Sequence, residues 1–261
     1  MNDCYRLARR IVARLSLAIV IFSGWPTASP AQPAGIEPQA EKVLRRMSDY
    51  LAKLRQFTVK TENTIEVVLA TGQKLQYNNP ATAMVSRPNK LRADRAGDIT
   101  SQEFFYDGKS LTLYNPKENL YATTAAPPTL EAMLDFAREK LDVIAPGAEF
   151  LYNNAAERML KESTSGFVVG PSVVGGVKCT HLAFRAAEFD WQVWVEDGAK
   201  PLPRKFILTS TKVNGAPEFT VLLRNWDLAQ NLSDRTFSFA PAKGAKKIEF
   251  LMLTSEPAKS K

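Results

Sequence analysis

The chain has 261 residues, a formal net charge of +7, two cysteines and a single histidine. Its Lys and Arg are spread along the chain and form no cluster, which argues against phosphate-backbone binding and so against a nucleic-acid partner. Two cysteines cannot build a disulfide framework, so a hydrophobic core must hold the fold. The length suffices for such a core.

Chain order begins with MNDCYRLARRIVARLSLAIVIFSGWPTASPA. Arg6, Arg9, Arg10 and Arg14 precede an apolar run from Leu15 to Trp25, and Ser29-Pro30-Ala31 offers the small residues of a cleavage site. This is the layout of a secretory signal peptide, and the run is shorter than the roughly 20 apolar residues that span a bilayer. Residues 1–31 are expected to be removed near Ala31, with residues 32–261 forming one soluble periplasmic domain. The loss of four Arg and one Asp lowers the formal charge from +7 to +4. Cys4 leaves with the signal, so Cys179 stands alone. A gentle attraction to anionic headgroups is compatible with the mild positive charge.

From Glu37 to about Leu54, apolar residues at Ala40, Val43, Leu44, Met47, Leu51 and Leu54 recur at three and four, which predicts an amphipathic helix with Pro38 in its first turn. At Phe57 the period becomes two. Phe57, Val59, Thr61, Ile65, Val67 and Leu69 alternate with Lys60, Glu62, Thr64 and Glu66, as in a sheet with one wet face. Gly72 turns the chain into a second strand. Further strands are predicted at Ala81–Arg87, Lys90–Asp94, Phe104–Tyr106, Ser110–Tyr114 and Leu120–Thr123, with Asp107-Gly108 as a hairpin turn.

Pro127-Pro128 closes this block. Thr129 caps a second predicted helix carrying Leu130, Met133, Leu134, Ala137 and Leu141 on one side, and a short helical piece is expected from Gly147 to Asn154. Strands then resume at Gly166–Gly170, Val173–Phe184, Phe189–Glu196, Arg204–Thr211, Glu218–Trp226 and Phe237–Phe239, with turns at Asp197-Gly198 and Asn214-Gly215. Sequential strands joined by tight turns predict an α+β fold: one large curved antiparallel sheet, an incomplete β-barrel, with helices covering its concave face.

Few helices cannot fully cover so many strands, so part of the apolar face is expected to line a groove. Leu111 and Leu113 share one strand face, Trp191, Val193 and Val195 another, and Phe219, Val221 and Leu223 a third. Any one of these residues suits a closed core. Collectively they suit a container for an apolar ligand under movable helices.

The stretches SRPNKLRAD, FFYDGKSLTLYNPKENLYAT and TFSFAPAKGAKKI resemble the periplasmic lipoprotein-carrier fold of the LolA/LolB and RseB-like proteins. The stretch GPSVVGGVKCTHLAFRAAEFDWQVWVEDGAKPLPRKF is more similar to the DUF2092 group of predicted periplasmic proteins assigned to that fold. The resemblance covers about residues 37–250. It implies a half-barrel with a helical lid, a lipid or lipoprotein acyl chain as ligand, a transient inner- or outer-membrane partner and a monomeric chain. It further implies that Arg87, in the R-P-N element, hydrogen-bonds to lid backbone carbonyls and holds the lid shut, a role suited to a guanidinium with five donors in a rigid fork. The expected ligand-binding residues are Arg87, Leu111, Leu113, Trp191, Val193, Phe219 and Val221. RseB-like relatives, which bind lipoproteins or envelope polypeptides, supply the alternative of a sensor or interaction module. Their additional C-terminal domain has no counterpart in the short polar tail Glu256–Lys261.

Catalysis finds little support. Cys179 and His181 lie two apart on one predicted strand, where same-face neighbours stand farther apart than the ~3 Å of a nucleophile–base contact. Glu188, Asp190, Glu196 and Asp197 flank predicted turns and are expected to be solvated. No nucleophile elbow, zinc-protease helix, phosphate loop or dinucleotide fingerprint is present. No enzyme activity, cofactor or metal is expected.

Overall fold

The computed structural model describes residues 35–250 apart from Ile99, Ile144 and Pro146. The expected signal peptide, its cleavage near Ala31 and the tail 256–261 lie outside the described residues. Within them, thirteen strands form one open sheet, antiparallel save for its last pair, with three α-helices on one side.

Helix α1 (Pro38–Lys53) buries Ala40, Val43, Leu44, Met47 and Leu51, the stripe expected from its spacing. The strands that follow are β1 (Gln56–Val68), β2 (Lys74–Asn78), β3 (Ala81–Ser86), β4 (Lys90–Ala96), β5 (Ser101–Tyr106), β6 (Ser110–Asn115) and β7 (Leu120–Ala125). Helix α2 (Leu130–Leu141), a 3-10 turn at Ala148–Leu151 and helix α3 (Ala155–Glu162) lead to β8 (Ser163–Val174), β9 (Val177–Ala186), β10 (Phe189–Glu196), β11 (Pro203–Ser210) and β12 (Glu218–Asp227). A 3-10 turn at Asp234–Phe237 precedes the short β13 (Lys246–Ile248).

The order across the sheet is β13-β7-β6-β5-β4-β3-β1-β12-β11-β10-β9-β8, with β2 paired to the far half of β1. Two meanders are therefore joined where β1 pairs β12, setting Ile65 opposite Phe219 and Asn63 opposite Val221. One core cluster contains Leu111 of β6 and Leu182 of β9 together with residues of all three helices. Eight strand spacings separate β6 from β9, about 38 Å along a flat sheet. A single cluster can include both only because the sheet curls around the helices.

Three local expectations are corrected. The segment 155–162 is a helix that buries Ala155, Ala156 and Met159, whereas the helical piece was expected to end at Asn154. The run Val173–Phe184 is broken by Gly175 and Gly176, both at positive φ, into the hairpin β8–β9. Phe237–Phe239 is not a strand. Phe237 ends the 3-10 turn and Phe239 packs among Phe105, Tyr114 and Tyr121 at ring distances of 5.0–5.4 Å. Aromatic burial on the outer face of β5–β7 thus wins over the alternating pattern. Beyond it β13 adds to β7 in parallel.

Candidate functional site

The concave face starts from rows of side chains that the strand pairing aligns. Phe57, Val85, Leu91, Tyr106 and Leu111 stand opposite one another across β1, β3, β4, β5 and β6, and all are buried. The next row runs Val59, Ala83, Ala93, Phe104, Leu113 and Ala122, in which Leu113 is half-buried. Helix α2 lies over these rows and buries Leu130, Met133, Ala137 and Leu141.

Three polar contacts fasten the start of α2. Thr129 caps the helix, its Oγ1 accepting from the Ala132 N–H at 3.2 Å. The Leu130 N–H donates to the Pro88 carbonyl at 3.0 Å, just after the cis Arg87–Pro88 peptide. The Tyr106 hydroxyl donates to the Pro127 carbonyl at 2.6 Å, and burial pushes its phenol up to about 12.

Arg87 faces the same helix. Its side chain is only 9% exposed, and Nη1 lies 3.8 Å from Glu131 Oε1. That separation makes an ion pair and not a hydrogen bond. Arg87 Nε and Nη2 and Glu131 Oε1 are buried with no hydrogen-bond partner among the described residues. Burial lowers the guanidinium pKa, and the Glu131 charge partly offsets this. The hydrogen bonds to lid carbonyls expected of Arg87 are thus not made by Nε and Nη2, and the contact to the helix is the ion pair with Glu131. Glu131 was not singled out from sequence, although the first turn after Thr129 is where an acidic residue also favours the helix dipole.

The middle of α2 is fixed by Asp135. Its Oδ1 accepts from Tyr152 Oη at 2.9 Å, Arg158 Nη2 at 2.9 Å and Arg138 Nη2 at 3.0 Å, and the Arg158 guanidinium sits 4.0 Å over the Tyr152 ring. Burial and the bond to Asp135 push the Tyr152 phenol up to about 12. This network ties α2 to the 3-10 turn and α3.

On the second meander, Trp191 stacks on Phe184 at 4.0 Å and donates its Nε1–H to Ser163 Oγ at 3.1 Å. Phe184 in turn lies on Gly166, where any Cβ would come within 2.2 Å of the ring. Val193 and Val221 are buried beside this cluster, and Phe206 meets Phe150 edge-on at 5.2 Å. Phe219 is different. It is half-buried, opposite Ile65 and Leu208, and Ile65 faces Tyr77 of β2, so an apolar strip continues along the inner face toward the hairpin tips. A Cβ at Gly147 would stand 3.8 Å from Val221, which places the chain after α2 over the boundary between the covered and uncovered parts.

Of the seven expected residues, Leu111, Trp191, Val193 and Val221 belong to one core with Phe219 packed at its margin, whereas Leu113 is half-buried in the next row and Arg87 sits beside the start of α2. Two cavities occur on the outer face. One of 320 Å³ lies beneath the C-terminal crossing, between Phe105, Thr112, Tyr121 and Phe239. The other, of 450 Å³, is walled by charged groups including Lys60, Asp94, Glu103 and Arg224. Neither is lined by any of the seven residues.

The pair considered for chemistry is otherwise engaged. Cys179 is buried, its thiol pushed up to about 11, and it donates to the Val177 carbonyl at 3.4 Å. His181 stacks on Trp194 at 3.9 Å and shares a hydrogen bond with Gln192 Oε1 at 2.9 Å. Among the described residues no group of His, Cys, Asp and Glu is arranged to hold a metal, and no helix is long and apolar enough to cross a membrane.

An open, helix-covered antiparallel half-barrel of this kind defines the class. Residues 40–251 match the family model described as "Predicted periplasmic protein (DUF2092)", and the chain belongs to that family. No curated protein sequence matches it. Among solved structures it is similar to an uncharacterized conserved protein from Thermus thermophilus, with 11% identity, a TM-score of 0.50, and coverage of 81% of this chain and 99% of that one. It is also similar to the lipoprotein LppX of Mycobacterium tuberculosis, with 12% identity, a TM-score of 0.44, and coverage of 76% and 100%. The MucA/MucB complex of Pseudomonas aeruginosa gives 14% identity, a TM-score of 0.44, and coverage of 77% of this chain and 61% of that one.

Proposed function

We propose that the protein, after loss of residues 1–31, is a non-catalytic periplasmic binding protein for a hydrophobic ligand, a lipid or a lipoprotein acyl chain, acting as carrier or chaperone. The observation that carries this is the inner face itself. Its apolar rows do not stop where the helices stop, but run out past Val221 to Phe219, Ile65 and Tyr77, which are only half-buried.

The described state is the closed one, with Leu111, Val193 and Trp191 essentially inaccessible. Ligand entry at Phe219 then requires α2 to swing away from Leu111 and Leu113, while Trp191 and Val193 form the wall that α1 continues to cover. A ligand must replace the contacts that Leu130, Met133, Ala137 and Leu141 give up. At about 0.8 kcal/mol per buried methylene, an acyl chain of roughly 16 carbons leaves a membrane only if the groove returns about 12 kcal/mol, so the inner face has to bury the chain along its length. Arg87 fits the role of the group that sets how readily α2 leaves, because its unused donors offer a carboxylate or ester on the ligand a second partner.

A second function, an envelope sensor that binds lipoproteins or polypeptides, is favoured by one observation. Among the described residues the outer edge of β8 meets Gly35–Glu37 around Gly166 and Val168, and Val169 and Val173 farther along that strand are exposed, so an extended segment could add there. Native mass spectrometry of protein purified gently from periplasm tests both. A co-purifying lipid supports the carrier, a bound polypeptide supports the sensor, and recovery of neither in repeated preparations counts against both.

A further inference from the structure

Two hairpin tips meet where the apolar strip emerges. The β1–β2 turn and the β11–β12 turn are tied together, Lys74 Nζ donating to the Ala216 carbonyl at 3.3 Å and the Glu218 N–H to Glu66 Oε2 at 3.1 Å. Gly215 packs so closely on Val68 that an added Cβ would stand 2.9 Å from its methyl. The two tips thus form one projecting surface.

That surface is apolar and carries two lysines. Val67 and Leu69 are 38% exposed and Val213 is 54% exposed, three of the six large hydrophobic side chains exposed among the described residues. Residues 67–75 and 211–217 contain Lys74 and Lys212 and no Asp or Glu. Lys74 already pairs with Glu66 at 3.0 Å, whereas Lys212 has no partner among the described residues. Lys74 is thus neutralised by Glu66, and Glu218 follows the second turn, so Lys212 is the cation that exposed Leu and Val set beside the boundary between headgroups and acyl chains.

We propose that the paired tips dock on an anionic lipid bilayer, with Leu69 and Val213 entering the headgroup boundary and Lys212 meeting a phosphate. This rests on the carrier function proposed above and deepens it: docking there sets Ile65, Tyr77 and Phe219 against the bilayer, so a chain passes from membrane to concave face without crossing water. A peptide partner would be served by backbone edges, and at these tips β1, β11 and β12 are paired on both sides, which leaves only the outer side of the five-residue β2.

The test is co-sedimentation of residues 32–261 with vesicles of phosphatidylglycerol and phosphatidylethanolamine, against vesicles of phosphatidylcholine alone. Anionic vesicles are expected to bind roughly fivefold tighter, the contribution of one lysine near the surface. Leu69→Ser/Val213→Ser should lose roughly tenfold, and Lys212→Gln roughly fivefold, with unchanged melting temperatures. Equal binding to both vesicle types, no binding, or wild-type binding by both variants overturns the proposal. So does binding that occurs only to native envelope membranes and disappears when they are stripped of protein. Uptake of a fluorescent fatty acid in vesicle-free solution separates the two claims. Uptake is expected to be unaltered by Leu69→Ser/Val213→Ser, and its absence in every form, with docking intact, would remove the carrier function and leave the docking surface standing.

Discussion

Replacing Glu131 with Gln should open α2 without unfolding the sheet. The substitution keeps the size of the side chain and removes the one charge facing Arg87, whose guanidinium is nearly buried 3.8 Å away. At an effective dielectric of about 20, unit charges at this separation attract by about 4 kcal/mol. Glu131 retains some contact with solvent, which reduces the loss to about 2 kcal/mol, and leaving Arg87 buried without its counter-charge keeps it from being smaller. If that energy acts only on the closed position of α2, amide exchange across 129–141 should accelerate roughly 30-fold. Exchange in β10 and β12 should stay within about twofold, because local opening leaves global stability intact. Hydrogen–deuterium exchange read by mass spectrometry resolves these peptides. The double substitution Arg87→Met/Glu131→Met, which removes both charges, should restore slow exchange in α2. Unchanged exchange in α2 on Glu131→Gln, or equal acceleration throughout the sheet, would refute the role of this pair as a clasp.

Tyr106→Phe leaves the Pro127 carbonyl without its donor at 2.6 Å and should cost about 1–2 kcal/mol, read as a lower urea midpoint with unchanged slope. The same phenol titrates near 12 when folded and near its ordinary 10 when unfolded, so its contribution is fully present below pH 10 and is lost as pH rises toward 12. Stability measured across that window should fall more steeply in the wild type than in Tyr106→Phe; parallel curves would contradict the assignment. Phe239→Ala removes a ring that touches Phe105, Tyr114 and Tyr121, and should cost about 2 kcal/mol by thermal melting, with the C-terminal segment exchanging first. Cys179 should resist a thiol reagent in native protein at pH 8 and react fully in denaturant, since it is buried with its pKa pushed up to about 11.

Much of the architecture is legible locally. The α1 stripe, the Thr129 cap and the Asp107-Gly108 turn each follow from a few adjacent residues and stand as expected, whereas the alternation of β1 fails beyond its middle, where Glu66 is largely covered and Val67 and Leu69 are exposed. What escapes is decided at a distance. That β1 pairs β12 depends on closure of two meanders around one core, and no local pattern announces it. Phe237 and Phe239 carry strand-like alternation, yet the outer face of β5–β7 offers their rings more burial than a ladder position would. Helix α3 is eight residues long and begins soon after a 3-10 turn, so its periodicity covers little more than two turns. Within the site, the inward direction of Leu111, Trp191 and Val221 follows from strand parity. Glu131 and Asp135 do not, because their significance arises only once α2 is laid against Arg87, Tyr152 and Arg158.

The most direct test is to locate a bound acyl chain. A fatty acid bearing a photoreactive diazirine near its methyl end, incubated with residues 32–261, irradiated and mapped by peptide sequencing, reports which face receives it. Label on Phe219, Val221 and the inner side of α2, diminished by competing palmitate, is the predicted result. Label confined to the outer-face cavities near Phe239 or Arg224, or no competable label, would contradict the account.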